Sequence, residues 1–159
     1  MRMRRLLAGV ALAAAFVTPA AAVTPDPERA AIVAQVEAFF AAMKAKDPAA
    51  AKALLLEDVT FTAQRTRPDG VKLGRVPGKA FAEGLTGPDV LDERMWDPVV
   101  TRRGTIAVVW APYEFLLNGK TTHCGIDVFD MVKVDGAWKI AHLMWTQEPD
   151  ACPELKPKG

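Results

Sequence analysis

The spacing of hydrophobic residues predicts two consecutive helices early in the chain. Asp26-Pro27 combines a helix-capping residue with a proline suited to the first helical turn. Apolar side chains then recur at the spacing of an amphipathic helix that ends near residue 46: Ile32, Val36, Phe39, Phe40 and Met43. Because Asp47-Pro48 repeats the same start signal, a second, shorter helix is expected over Ala49 to Leu56.

From Asp58 onward the hydrophobic period changes to two, which indicates strands. Val59, Phe61 and Ala63 alternate with polar residues, as in a strand that buries one face. The later predicted elements are a turn at 67–70, a strand at 71–73, a small helix over 76–85, and strands at about 90–100, 105–117, 120–134 and 137–147.

Two dipeptides between the last three strands predict hairpins. Asn118-Gly119 and Asp135-Gly136 both favour two-residue turns in which each residue has a positive φ. The last three strands are therefore expected to form an antiparallel meander. With the helices, this pattern predicts an α+β domain: a curved, mixed or antiparallel sheet with about three helices from the N-terminal half on its concave face.

The first 22 residues have the pattern of a secretory signal peptide. A basic stretch ends at Arg5, an apolar run covers residues 6–17, and small residues lead to Ala22. As a helix the apolar run is only about 18 Å long, against a hydrocarbon core of about 30 Å. We expect cleavage after Ala22, a secreted or periplasmic product, and one domain over 23–159 with a short C-terminal tail. Arg4-Arg5 leaves both the general secretory and the twin-arginine route open.

Composition and charge exclude some partners. Half of the 159 residues are hydrophobic and a quarter are charged, which is ordinary for a globular protein. The net charge of +1 is too small to indicate binding to a phosphate backbone. Removal of the leader with its arginines would eliminate this small positive charge. Neither nucleic acid nor, after cleavage, a membrane is expected as a partner.

The order of the predicted elements resembles the nuclear transport factor 2-like superfamily. The resemblance extends over nearly all of the mature chain and includes the helix-to-strand step at 55–59 and the closing strand at 136–140. The segments Trp110-Ala111-Pro112-Tyr113-Glu114-Phe115 and His123-Cys124-Gly125-Ile126-Asp127 resemble an exported bacterial branch labelled lumazine-binding.

This resemblance implies a cone-shaped domain with a cavity between the sheet and the helices, and it implies a homodimer. The superfamily includes steroid isomerases, dehydratases, epoxide hydrolases, polyketide cyclases and many members without known activity. The fold alone does not choose among these functions.

A constant register in both hairpins would assign the sheet residues to two faces. Glu114 would lie opposite His123, Trp110 opposite Asp127, Asp127 also opposite Met144, and Phe129 opposite His142, and opposed residues share a face. The expected concave face carries Val108, Trp110, Glu114, His123, Asp127, Phe129, Ile140, His142 and Met144. The other face, expected to meet a partner subunit, carries Val109, Tyr113, Phe115, Cys124, Ile126, Val128, Leu143 and Trp145.

Three polar residues on the expected concave face are candidates for catalysis. Glu114 and His123 would form a carboxylate–imidazole dyad for proton transfer, or else a structural pair at a solvated cavity mouth. Asp127 would be a buried base under Trp110, or else a residue that fixes its strand by hydrogen bonds to backbone amides or to His142.

The expected ligand-binding residues are largely aromatic, and no metal or other cofactor is expected. The candidates for ligand contact are Trp110, Tyr113, Phe129, His142 and Met144, although aromatic strand residues also form cores. His123 and His142 would lie about 20 Å apart, too far to share an ion.

The two cysteines are Cys124 in a predicted strand and Cys152 in the tail. Export favours oxidation, so a disulfide that attaches the tail is expected; two free thiols are the alternative.

These observations favour small-molecule binding, with a small apolar or aromatic ligand. One alternative is a cofactor-independent acid–base enzyme of the isomerase, dehydratase or cyclase type. Another is a non-catalytic dimerisation module, in which Trp110, Phe129 and Met144 would fill the cavity.

Overall fold

The fold is described by a computed structural model of residues 26–158. The predicted signal peptide and its cleavage site lie outside these residues. The elements are α1 (Pro27–Ala45), α2 (Pro48–Ala53), β1 (Leu55–Arg67), β2 (Gly70–Pro77), α3 (Gly78–Glu83), a 3₁₀ turn (Gly84–Thr86), β3 (Leu91–Met95), β4 (Val99–Arg103), β5 (Ile106–Leu117), β6 (Lys120–Val134), β7 (Ala137–Gln147) and α4 (Cys152–Leu155).

Both helix start signals act as predicted. The Asp26 side chain accepts a hydrogen bond from the Glu28 backbone N–H at 3.0 Å, and the Asp47 side chain accepts one from the Ala50 N–H at 2.9 Å. The second helix, however, ends at Ala53 rather than at residue 56. It stops early because Leu55 already pairs with β7.

The sheet is mixed, as predicted, with strand order β2-β1-β7-β6-β5-β3, and β4 also pairs with β5. β1 runs parallel to β7, whereas the other pairs are antiparallel. The predicted meander of the last three strands is confirmed. Both turn dipeptides have positive φ at each residue: 52° and 78° at 118–119, and 50° and 81° at 135–136.

Two further predicted element boundaries are wrong. The strand expected over 90–100 is divided into β3 and β4, because Asp97 has a φ of 46° and Pro98 has no N–H to continue a ladder. The helix expected from residue 76 begins at Gly78, because β2 stays paired with β1 through Pro77.

A β-bulge at Thr122 changes the register between β5 and β6. Leu116 pairs with Thr121, but the next residue, Phe115, pairs with His123. The predictions that Glu114 faces His123 and that Trp110 faces Asp127 are therefore wrong. One unpaired residue in β6 moves the β5 side chains from Ile106 to Phe115 to the opposite face relative to β6.

A second bulge, at Ala141, does the same between β6 and β7. Met131 pairs with Ile140, whereas Asp130 pairs with His142. Asp127 consequently lies opposite Trp145 rather than Met144, and Phe129 lies opposite Leu143 rather than His142. Both corrections have the same physical cause, an extra residue in one strand of an antiparallel pair.

The core lies between the helices and the concave face of the sheet. All five apolar residues that predicted α1 are buried in it. The Phe39 ring meets the Phe61 ring edge-on at 5.7 Å, and Phe40 meets Phe129 in the same way at 5.9 Å. Among the described helices, none combines the length and the apolar character needed to cross a membrane.

Candidate functional site

A cavity of about 260 Å³ opens between α1, α3, β3 and the concave face of the sheet. Its apolar lining consists of Phe39, Met43, Phe61, Phe81, Leu91, Tyr113, Phe115, Leu143 and Trp145. Its polar lining consists of Arg65, Arg67, Glu93, His123, Asp127 and Gln147. An apolar cavity with a few polar groups is the usual composition of a small-molecule site.

The two bulges change which β5 and β7 residues face this cavity. His123, Asp127, Phe129 and Ile140 lie on the helix-covered side, as expected. Val109, Tyr113, Phe115, Leu143 and Trp145 share that side, contrary to prediction. Val108, Trp110, Glu114, His142 and Met144 lie on the outer face, together with Cys124, Ile126 and Val128.

Asp127 lies in the wall of the cavity beside Glu93. Asp127 is 2% exposed, and its carboxyl group interacts with that of Glu93, which β3 contributes. Its Oδ2 atom is buried and receives no N–H or O–H donor from elsewhere in residues 26–158. A buried carboxylate oxygen without a donor is uncommon, because desolvation without a hydrogen bond is costly.

Burial raises the proton affinity of both carboxyl groups. Burial raises the pKa of Glu93 to about 7, although the hydrogen bond with Asp127 acts in the opposite direction. Burial, and then the charge of Glu93, raises the pKa of Asp127 well above its ordinary value. The pair therefore retains a proton near neutral pH, since two adjacent carboxylates cannot both ionise in an apolar cavity.

His123 is a neutral, immobilised ring in the same wall. Its Nδ1 lies 2.8 Å from Thr122 Oγ1 and accepts from Gln147 Nε2 at 3.4 Å. The ring stacks on Phe115 at 5.1 Å and meets Tyr113 edge-on at 5.7 Å. Burial, with a smaller effect of the Arg65 charge, lowers the pKa of His123 to about 4, so that its second nitrogen carries the proton.

The Tyr113 hydroxyl is already engaged by the protein. It donates a hydrogen bond to the Thr146 carbonyl oxygen at 2.7 Å. Burial, followed by the charges of Asp127 and Glu93, raises the pKa of Tyr113 above its ordinary value. Tyr113 therefore contributes its ring to the cavity and stays protonated.

Two arginines border the cavity on β1. Arg65 is half-buried and its guanidinium extends across Gly74 of the neighbouring strand, where a Cβ atom would lie 2.5 Å from Nη1. Arg67 is exposed and lies two residues further along the same face. Within residues 26–158, neither guanidinium lies within 4.0 Å of a carboxylate oxygen.

The predicted Glu114–His123 dyad does not form. Glu114 is buried on the outer face, where Thr121 and Lys156 donate hydrogen bonds to it. Although burial opposes its ionisation, these two donors lower the pKa of Glu114. Glu114 therefore attaches the C-terminal tail, and the bulge at Thr122 explains why it points away from His123.

The five predicted ligand-binding residues do not lie together in the structure. Tyr113 lines the cavity, whereas Phe129 lies deeper, packed against Phe39 and Phe40. Trp110 and Met144 are on the outer face and are 51% and 42% exposed. The remaining one, also on the outer face, is His142; its Nε2 lies 3.3 Å from Thr62 Oγ1, and its Nδ1 lies 3.6 Å from Asp130 Oδ2.

Three polar residues of the cavity were not predicted from the sequence: Glu93, Arg65 and Arg67. The two arginines had a usable signal, since residues 59, 61, 63, 65 and 67 continue the inward alternation of the predicted strand. Glu93 had none, because neighbouring residues 92 and 94 are also charged and only the pairing of β3 with β5 brings it to Asp127.

Cys124 and Cys152 form a disulfide with a Cα–Cα distance of 5.0 Å. It fixes α4 against the outer face, where Trp96 Nε1 also donates to the Leu155 carbonyl oxygen at 2.6 Å. Within residues 26–158, His, Cys, Asp and Glu side chains form no group of three or more that could hold a metal ion.

Comparison with known proteins identifies the fold. No family model matches the chain, and no curated protein does. A nuclear transport factor 2-like protein from Cytophaga hutchinsonii is similar in structure, with a TM-score of 0.63, 18% identity, and coverage of 76% of this chain and 98% of the other. The chain has the nuclear transport factor 2-like fold.

Further solved structures agree with this assignment. A nuclear transport factor 2-like protein of unknown function from Shewanella baltica has a TM-score of 0.59 and 17% identity, and the match covers 78% of this chain and 96% of that one. A protein of unknown function with a cystatin-like fold from Nostoc punctiforme has a TM-score of 0.63 and 10% identity, with 79% and 95% covered. The superfamily resemblance predicted from the sequence is thereby confirmed at the level of the nuclear transport factor 2-like fold.

Proposed function

We propose that this protein is an exported small-molecule-binding protein whose ligand occupies the cavity above the concave face. The observation that supports this function is the 260 Å³ cavity, in which nine apolar side chains surround a small set of polar groups. The volume lies just below the range of about 300–1,000 Å³ that is common for ligand pockets, which favours a small ligand.

Export is supported by two independent features. The first 22 residues have the pattern of a cleaved leader. The Cys124–Cys152 disulfide is the kind of bond that persists in an oxidising compartment such as the bacterial periplasm. Membership of the lumazine-binding branch stays a prediction.

Native mass spectrometry of the mature protein, isolated from periplasm, tests the binding function. Wild type is expected to carry a small-molecule mass that disappears on denaturation. Leu91→Trp, which places a larger side chain in the cavity, should lose that mass, whereas Val90→Trp, at the exposed neighbouring position, should keep it. A retained mass that both variants keep would place the ligand elsewhere and contradict the proposal.

A second candidate function is cofactor-independent acid–base catalysis. The observation that favours it is the proton-sharing Glu93–Asp127 pair in an apolar cavity, since a carboxyl group with a pKa near 7 is suited to exchanging protons at neutral pH. If the pair acts in this way, a panel of cyclic ketones in D₂O should contain compounds whose α-protons exchange with wild type. Asp127→Asn should abolish that exchange, and exchange that survives the substitution would exclude this role.

A homodimer through the outer sheet face is also part of the proposal. Val99 and Trp110 are paired residues on that face, Met144 lies two strands away in the same row, and all three are exposed apolar side chains. Trp110→Glu is expected to shift sedimentation to the monomer, whereas Val134→Glu, in the distant hairpin turn region, should not. A monomeric wild type at micromolar concentration would contradict this assembly.

The purely structural alternative has less support. That hypothesis requires Trp110, Phe129 and Met144 to fill the cavity. Trp110 and Met144 instead lie on the outer face, and Phe129 packs beneath α1.

A further inference from the structure

We infer that the ligand is a small hydroxylated organic acid, bound with its carboxylate between Arg65 and Arg67 and with its hydroxyl group donating to Asp127. This inference rests on the proposed binding function, and it assigns the two ends of the same cavity. The apolar body of the ligand lies between these ends, against the aromatic side chains.

The anionic end is assigned from the two arginines. Both line the cavity from the same face of β1, and neither has a carboxylate within 4.0 Å in the described part of the chain. A guanidinium group binds a carboxylate through two parallel N–H donors. An anion at this position would therefore satisfy donors that the protein itself leaves without a charged partner.

The absence of a side chain at Gly74 leaves space for the Arg65 guanidinium in the position that the structure shows. β2 passes beside Arg65, and any side chain at residue 74 would occupy the space in which Nη1 lies. The glycine thus leaves a channel through which the guanidinium reaches the cavity. Arg65 lines the same cavity as His123 and Tyr113, and its charge lowers the pKa of both groups.

The hydroxyl end is assigned from Asp127. Its Oδ2 is buried in the cavity wall and has no hydrogen-bond partner among residues 26–158. A ligand O–H in the cavity would supply the missing hydrogen bond without adding charge. An ammonium group would also donate, but the two arginines at the other end repel cations and attract anions.

The dimensions favour a ligand with a single substituted ring. The cavity volume of about 260 Å³ lies just below the range of about 300–1,000 Å³ that is common for pockets holding drug-sized ligands. Six of the lining side chains are aromatic, and they provide faces and edges for a flat ring: Phe39, Phe61, Phe81, Tyr113, Phe115 and Trp145.

Calorimetric titration with three matched probes tests the inference. The probes are 4-hydroxybenzoate, its neutral isostere 4-hydroxybenzamide, and benzoate, which lacks the hydroxyl group. We expect 4-hydroxybenzoate to bind about tenfold tighter than the amide, because only the acid carries a charge for the arginines. It should also bind several-fold tighter than benzoate, which leaves Asp127 Oδ2 without a donor.

Variants locate each preference. Arg65→Gln should remove the preference for the acid over the amide, whereas Arg75→Gln, on the opposite face of the same hairpin, should retain it. Gly74→Ala should weaken the preference without unfolding the protein, since only the flexible end of Arg65 has to move. Asp127→Leu should remove the preference for the hydroxyl group; if that variant does not fold, the wild-type comparison with benzoate decides this point.

The possible failures are distinguishable. Equal affinity of wild type for the acid and the amide, or an unchanged preference in Arg65→Gln, would overturn the inference and leave the binding function standing. Absence of binding by all three probes overturns the inference. If wild type and Leu91→Trp also retain the same small-molecule mass in native mass spectra, or both retain none, the proposed function fails with it.

Discussion

At the scale of single residues, the cavity changes the proton affinity of three of its polar side chains: Glu93, Asp127 and His123. Glu93 and Asp127 keep a proton because ionising both would place two negative charges together in an apolar wall. His123 stays neutral for the complementary reason, since burial and the Arg65 charge disfavour its cationic form. The cavity is consequently less charged at pH 7 than its composition suggests.

The acid pair makes folding stability depend on pH. The pKa of Glu93 is about 7 when folded and near 4.5 when unfolded, so its stabilising contribution is complete below pH 4.5 and is lost as the pH rises through about 7. Asp127→Asn removes the titration of the Asp127 carboxyl, whose pKa burial raises in the folded protein, so that its ionisation no longer opposes folding as the pH rises. Relative to this variant, we expect the unfolding free energy of wild type to fall by roughly 1–3 kcal/mol between pH 4.5 and 8, measured by urea denaturation.

Asp130→Asn is the matched control, because Asp130 is exposed on the same strand. It should follow the wild-type profile. Parallel profiles for Asp127→Asn and wild type would show that the pair does not share a proton.

His123 gives a second titration with the opposite sign. Its folded pKa of about 4 lies below the unfolded value of 6.5, so its stabilising contribution is present above pH 6.5 and is lost as the pH falls through about 4. Nitrogen-15 spectra of the ring should show a neutral imidazole at pH 6. Arg65→Gln should raise this pKa measurably, and a ring that is half-protonated near pH 6.5 in wild type would contradict the described environment.

At the scale of elements, two β-bulges decide which side chains face the cavity. Helix starts and hairpin turns were predictable because local chemistry fixes them: Asp-Pro at the helix starts, and Asn-Gly or Asp-Gly at the turns. The bulges at Thr122 and Ala141 carry no such local signature. One unpaired residue in each strand pair, Thr122 for β5 and Ala141 for β7, reversed the predicted faces of β5 and most of β7, although β6 itself was oriented correctly.

The candidate site was therefore only partly predictable. Asp127 and His123 were placed on the concave face because they lie on β6. The inward position of Arg65 was also predictable, because the alternation of buried and polar residues continues past Ala63. Glu93 was not, since its role depends on which strand pairs with β5, a tertiary relationship that the local pattern does not contain.

The disulfide acts on the element that it attaches. It closes a segment with a sequence separation of 28, so removing it should cost about 2–4 kcal/mol of unfolding free energy. Because Cys124 lies on the outer face, the Cys124→Ala, Cys152→Ala double variant should retain probe binding in the cavity. Urea denaturation with and without reductant measures the cost, and reductant should not change the double variant. Loss of probe binding in a folded double variant would show that the tail shapes the cavity.

At the scale of the whole molecule, one fold presents two different apolar surfaces. The concave face is covered by α1 and α3 and retains a cavity, whereas the outer face exposes Trp110 and Met144. The inner surface is suited to a small molecule, and the outer surface to a second protein copy. Under the proposed function, ligand binding and assembly use opposite faces of the sheet, and substitutions on one face should leave the other function intact.

Methyl NMR of methionine-labelled protein tests the central claim most directly, because Met43 lines the cavity and Met144 lies on the outer face. The mature protein is titrated with p-cresol and with 4-hydroxybenzoate, a neutral and an acidic single-ring probe. A cavity that binds small molecules should shift the Met43 methyl signal to saturation and leave the Met144 signal unchanged. If neither probe moves Met43, or if Met144 alone responds, the cavity is not the binding site.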